Sequence, residues 1–287
     1  MIAHVAEASE GSGRVLFWLE PDALTSPSAI DGAARLAAAF GSEIETLVVD
    51  DGAISRAIAL PVTRAVGNGR LCDRQERVAD AGRSLALLGQ RQRRQVEDAA
   101  GALGVPCHHT ITAGNAIDQL TGLCLMAGPW NVIAMSQEPT AATAATISAI
   151  MANVSGATGV VVAGRAQKRS AGPIAVVVED AQRLPSMIRA AERLRPKGAQ
   201  IHVFLAAETI GHLAELESHV RLSMGHRGAV VFETTAPTHA IEGTLDEPLR
   251  RLAPGYVIAR FGGALLPSPK ALARTVSLTG APFLLVR

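Results

Sequence analysis

The chain has 287 residues, room for two domains of about 140 residues each or for one large one. Its 27 Lys plus Arg balance 26 Asp plus Glu to a net charge of +1, which excludes binding driven by a large one-signed field, such as a nucleic-acid coat protein needs, though not a local patch. Apolar residues make up 48% but aromatics only 3%, so the core has to come from Ala, Val, Leu and Ile; three cysteines make no disulfide framework and point to a reducing compartment.

The opening MIAHVAEASEGSG has no basic start and no apolar stretch, so no targeting segment is expected. Arg14–Glu20 (RVLFWLE) reads as a buried strand. Ser28–Phe40 follows as a helix with Ile30, Ala33, Ala34, Leu36 and Ala37 on one side and Gly41 as its stop. Ile44–Val49 is a second strand. A loop with Pro61 and Gly67-Asn68-Gly69 leads to a long helical pattern from about Asp73 to Leu103. Pro106–Thr112 is a third strand, Ala116–Met126 a helix, Asn131–Ser136 a fourth strand, Thr140–Val154 a helix and Gly159–Ala163 a fifth strand. Between Asp118 and Arg165 the only charged residue is Glu138. A membrane span needs about 20 mostly apolar residues in a row, and Pro129, Asn131, Gln137, Pro139 and Asn153 interrupt this stretch. It reads as buried helix, buried strand and buried helix of a soluble chain.

The order then repeats. Strands read at Pro173–Glu179, Ala199–Leu205, Ala229–Thr234, Tyr256–Phe261 and Pro282–Val286, with helical patterns at Pro185–Arg195, Ile210–Met224, Ala240–Leu252 and Lys270–Leu278. Two local matches support the repeat. VLFWLE and AVVVE set Glu20 opposite Glu179, and VIAM from Val132 matches VIAR from Val257. Strand-then-helix alternation predicts a parallel sheet covered on both faces. The polar, small stretch Ala166–Gly172 (AQKRSAG) reads as the linker. The expected division is 1–167, with an insertion at about 51–95, and 168–287.

Five strands and four helices per half, a long helix before the third strand and an apolar last strand after GAP together resemble a tandem universal stress protein. The stretch VEDAAGALGVPCHHTITAGNAIDQL, then WNVIAMS, an amphipathic helix and GVVVAGR, carries the likeness most clearly, with TGAPFLLVR at the end. The resemblance implies two doubly wound α/β domains of the adenine nucleotide alpha hydrolase-like type, each with strand order 3-2-1-4-5. It also implies that the strand-five edges meet, so that GVVVAG (159–164) would pair with APFLLV (281–286) within one chain.

ATP-binding members of that family carry G-x-x-G, nine residues, then G-[S/T] after strand four, because glycines let backbone N–H groups reach the phosphates at a helix start. Neither half keeps this pattern. In the first, strand four runs into Ser136-Gln137-Glu138-Pro139; in the second, Gly262-Gly263 are followed by Leu265-Leu266-Pro267-Ser268-Pro269-Lys270. Thr140, Thr143 and Thr146 share a helix face and offer an anion hydroxyls, or cap the helix and pack as a stripe. Lys270 meets a phosphate or is a solvated first-turn lysine. Gly114-Asn115 lie where the resemblance puts a ribose-side loop, and equally make a turn and a cap. Glu20 and Glu179-Asp180 end the first strands, where the family places an acid near the adenine or ribose, or cap the next turn.

Other chemistry is sparse. There is no P-loop, dinucleotide fingerprint or nucleophile elbow. Cys107 and His109 share a face of strand three with His108 opposite, which suits packing better than a metal. The Arg-rich segment Arg70–Arg94 interleaves Asp73, Glu76 and Asp80 and has no aromatics, so it reads as a solvated helix face without nucleic acid. The expectation is a cytoplasmic, stress-associated regulatory or binding protein. It would be non-enzymatic, with no cofactor, and would act through protein partners and as a homo-oligomer. The alternative is a nucleotide-sensing module taking ATP or AMP at an altered loop; a transferase or hydrolase of the same fold would need an acid, base or metal site that the sequence does not offer. The uncharged helix Thr140–Val154 is further expected to bury its outer face.

Overall fold

The short Val-, Ile- and Leu-rich runs become strands that are buried on both faces, save the half-exposed rim strand Cys107–Ala113, and the patterned stretches between them become helices that turn an apolar stripe to the sheet. The computed structural model describes residues 13–20, 25–50, 52, 74–128, 130–137, 140–164, 172–207, 209–224, 230–234, 245–263, 266 and 268–287. In chain order the elements are β1 (Arg14–Leu19), α1 (Pro27–Phe40), β2 (Glu43–Asp50), α2 (Arg74–Ala102), β3 (Cys107–Ala113), α3 (Ala116–Met126), β4 (Asn131–Met135), α4 (Ala141–Asn153) and β5 (Ala157–Val162). They continue with β6 (Ile174–Val178), α5 (Leu184–Leu194), β7 (Ile201–Leu205), α6 (Ile210–Met224), β8 (Val230–Thr234), α7 (Asp246–Leu252), β9 (Tyr256–Arg260), α8 (Pro269–Thr279) and β10 (Phe283–Val286).

The strands form one ten-stranded sheet in the order β3-β2-β1-β4-β5-β10-β9-β6-β7-β8. Each half has the expected 3-2-1-4-5 order and is parallel throughout. The two halves join antiparallel, with Phe283 opposite Val162 and Val286 opposite Gly159. The terminal strands thus cover each other's edges inside one chain, and the sheet is left with β3 and β8 at its rims. The linker, apart from Gly172, and most of the stretch 51–95 before α2 lie outside the described residues.

Two apolar layers follow from the alternation of side chains. One holds Val15, Phe17 and Leu19 with the buried stripes of α1, α2, α5 and α6. The other holds Leu16, Ile133 and Leu285 with residues of α3, α4, α7 and α8. Both layers run across the junction between the halves. Tyr256, the chain's single tyrosine, is fully buried there, and its hydroxyl donates to the Gly32 carbonyl of α1 at 3.2 Å. Arg35 donates to the Gly255 carbonyl at 2.8 Å and lies over the Tyr256 ring, 5.6 Å from its centre. Arg287 runs the other way: its guanidinium donates to the carbonyls of Met151, Val154 (3.1 Å) and Ser155 (3.3 Å), closing the C-terminal end of α4.

One sequence match is corrected. VIAM and VIAR are out of step by one residue, since Val132 belongs to the first layer and Val257 to the second. In a strand a one-residue slip turns every side chain to the other face. Pairing sets Val15 beside Val132 and Ile174 beside Tyr256, which makes Tyr256 the counterpart of Val132 and keeps Glu20 as the counterpart of Glu179. The expectation that α4 buries its outer face is not met; only its inner stripe is covered. Thr143, Ile147, Ile150, Met151 and Val154 are buried and α4 packs beside α8, yet Ala145 is exposed and Ala149 half-buried; the Ala142 side chain lies outside the described residues.

Candidate functional site

An open α/β sheet collects ligands outside the C-terminal ends of its strands, where the strand order reverses. That reversal falls between β1 and β4 in the first half and between β6 and β9 in the second. The residues leaving these strands are Glu20 with Ser136 and Gln137, and Glu179 and Asp180 with Phe261, Gly262 and Gly263.

In the first half the two loops are stitched together. The Ser136 N–H donates to the Trp18 carbonyl at 3.2 Å, the Ser26 N–H donates to the Ser136 carbonyl at 2.9 Å, and the Glu20 N–H donates to Ser136 Oγ at 3.4 Å. Gln137 Nε2 donates to the Glu20 carboxylate. From α2, Gln92 Nε2 donates to the Glu20 carbonyl at 3.5 Å. Ser26 Oγ donates to the Gly164 carbonyl at 2.9 Å, tying the start of α1 to the end of β5. Ser136 is buried by these contacts. The sequence marked Glu20 and Ser136 but not Ser26 or Gln137; the signals for these were the Ser-Pro start of α1 and the neighbourhood of Ser136.

In the second half the strand-end acid lies on the glycine turn. Gly262 is left-handed, with φ of 67°, a conformation that glycine adopts without cost. A Cβ built on Gly263 would fall onto the Glu179 carboxylate, 2.5 Å from its Cδ, so a larger residue here would have to displace the glutamate side chain from its present place. Asp180 turns away from that contact. Its carboxylate accepts from the Gln182 N–H at 2.9 Å and lies 3.7 Å from Arg183 Nε, capping the turn before α5.

The remaining candidates have local roles. Thr140 Oγ1 accepts from the Thr143 N–H at 3.2 Å and is the N-cap of α4. Asn115 Oδ1 accepts from the N–H groups of Ile117 (2.9 Å) and Asp118 (3.3 Å) as the N-cap of α3. Gly114 and Asn115 follow β3, two strands from β1, so about 10 Å separates them from the Glu20 end of the sheet. Lys270 is exposed in the first turn of α8, whose N-cap is Ser268. Glu138, Pro139, Leu265 and Pro267 lie outside the described residues.

A second polar group was missed by the sequence. Thr46 Oγ1 lies 2.5 Å from His109 Nδ1, and His109 Nε2 meets the Glu97 carboxylate of α2. The order hydroxyl, imidazole, carboxylate is that of a nucleophilic relay, but Thr46 is fully buried and no substrate reaches it. The chain of contacts instead pins α2 to β2 and β3. Burial, with the Glu97 charge adding to it, pushes the nearby Cys107 thiol up to about 11; burial pushes Cys124 up to about 12 against the opposing pull of Arg14 and Arg287. Both thiols are therefore poor nucleophiles. Among the described residues no three of His, Cys, Asp and Glu are placed to hold a metal, and no helix is long and apolar enough to cross a membrane.

Sheet order, crossovers and the edge-to-edge join define a doubly wound α/β fold in which each half of the sheet has the order 3-2-1-4-5. No family model and no curated protein sequence matches the chain. Solved structures do. A universal stress protein from Archaeoglobus fulgidus DSM 4304 superposes with a TM-score of 0.56 at 12% identity, covering 95% of this chain and 96% of that one. A functionally unknown protein from Pseudomonas aeruginosa PAO1 gives 0.52 at 13% identity over 95% and 92%. The cytoplasmic domain of a prokaryotic cation chloride cotransporter gives 0.52 at 10% identity over 96% and 95%. At such identities the likeness shows the fold, which is that of universal stress proteins over nearly the whole chain.

Proposed function

We propose that this chain is a cytoplasmic universal-stress-protein-type regulatory and binding protein. It has no enzymatic activity of its own, and it does not take ATP in the manner of the family. The observation that carries the reading is the bridging of each crevice by its strand-end glutamate: Glu20 to Gln137, and Glu179 against Gly263. A triphosphate needs backbone donors and room at the strand-four turn. In the first half that turn offers Ser136 and Gln137 tied to the neighbouring loop, and in the second an acid fills the side of the turn that glycine leaves open.

The units of such a protein divide between residues 167 and 168, in the polar linker. Its partners are proteins, and the outer side of α3 is the face we assign to them and to a second copy of the chain. Leu125 and Met126 stand 67% and 75% exposed there, two turns along the same helix from the exposed Asp118.

A nucleotide-sensing module for ATP or AMP is the second reading. Gly262 and Gly263 favour it, since a left-handed glycine turn remains after β9. A thermal-shift titration with ATP, ADP and AMP, with and without magnesium, separates the two. A ligand at a hundred times its Kd adds about 2.7 kcal/mol, several degrees for a chain of this size. A flat response at millimolar nucleotide is expected, and a saturable shift would establish the second reading instead.

A further inference from the structure

Two turns of unrelated sequence, Ser136-Gln137 and Phe261-Gly262-Gly263, each lie against the acid that follows the adjoining strand, one through a side-chain hydrogen bond and one by close approach. Glu20 and Glu179 are counterparts by strand pairing. In the first half the acid reaches across the strand reversal and takes the Gln137 amide. In the second, the carboxylate lies where a Cβ of residue 263 would stand, beside the left-handed Gly262. The contact is therefore not an accident of one loop sequence. The first-half turn supplies a side-chain donor where glycine is missing, and the second-half turn supplies the gap that glycine leaves.

We propose that Glu179 is a built-in anionic occupant of the second crevice, a side chain that holds the glycine turn in place of an outside anion and keeps it closed. The proposal rests on the reading of the crevices given above and adds its cause. A carboxylate against the backbone of such a turn fills the position that an incoming phosphate oxygen would need. It also sets a like charge beside every other oxygen of the group. Glu20 does the same for the first crevice, where the turn has no glycine for an anion to approach.

The test uses the full chain and two probes, ATP and inorganic tripolyphosphate, in thermal-shift and calorimetric titrations of the wild type, Glu179→Gln and Glu179→Ala. Flat wild-type titrations up to about 1 mM probe (about a thousandfold above a micromolar Kd) are expected, with saturable binding in both variants at least about tenfold tighter than any wild-type response. Flat titrations for all three folded proteins overturn the internal-occupant proposal and leave the functional reading standing. Saturable wild-type binding of ATP overturns both.

Discussion

The join between the halves predicts where the chain is most and least sensitive to loss of a side chain. Leu285 of β10 is fully buried, stands opposite Val160 of β5 and packs in the second apolar layer. Ile111 of β3 occupies the outer rim of the same sheet and is 62% exposed. Truncating a buried leucine to alanine costs about 2–5 kcal/mol, the spread depending on how far the surroundings close the cavity. Leu285 is enclosed by strands on both sides, which cannot move together without breaking hydrogen bonds, so about 3 kcal/mol is the expected loss. At roughly 2–4 °C per kcal/mol for chains of 150–250 residues, Leu285→Ala should lower Tm by about 6–12 °C. Ile111→Ala, losing contacts on one side only, should cost under about 1 kcal/mol, or ~3 °C. Differential scanning calorimetry of both variants, at equal concentration, gives the comparison. Equal losses, or the larger loss at Ile111, would refute the assignment of the buried and open rims and with it the intramolecular join.

Three further predictions concern single groups. Asn131 is fully buried and its amide donates to the carbonyls of Cys124 (2.9 Å), Gly128 (3.3 Å) and Gly156 (3.3 Å), so Asn131→Ala should cost about 2 kcal/mol in a urea titration, while a loss under ~0.5 kcal/mol would mean that the three carbonyls find other donors. With Cys72 replaced by serine, alkylation at pH 8.5 should run at least about tenfold slower in the folded chain than in urea, because burial holds Cys107 and Cys124 protonated; equal rates would refute it. Hydrogen bonds from Arg250 and Arg251 hold the exposed Glu247 down to about 2 from a usual value of 4.5, so its small stabilising effect is complete above about pH 4.5 and is lost as the pH falls through 2. The Tm difference between the wild type and Glu247→Gln should narrow over that window, and a difference constant from pH 6 to pH 2 would contradict the sign.

The parts of the structure legible in the sequence are those governed by local pattern. Strand and helix order, the caps at Gly41 and Asn115, and the apolar strand at each half's end follow from periodicity and turn chemistry, which act over a few residues. The kinship of Glu20 with Glu179 was legible for the same reason. The false step was VIAM against VIAR, where three shared letters outweighed the burial of alternate residues; only strand pairing settles which face a side chain takes.

What the tertiary structure alone decided is whatever joins residues far apart in the chain. The sequence offered two apolar terminal strands and the family resemblance implied that they meet, but their register, Phe283 on Val162, depends on how the two halves of the sheet are already twisted and covered. Gln137 on Glu20, separated by 117 residues, and His109 between Thr46 and Glu97 have no local signature, because a hydrogen bond between distant side chains leaves no period in the sequence. The same holds for Gly263. A pair of glycines in a sequence signals freedom of the backbone, whereas the fold sets the carboxylate of Glu179 where a Cβ on Gly263 would stand.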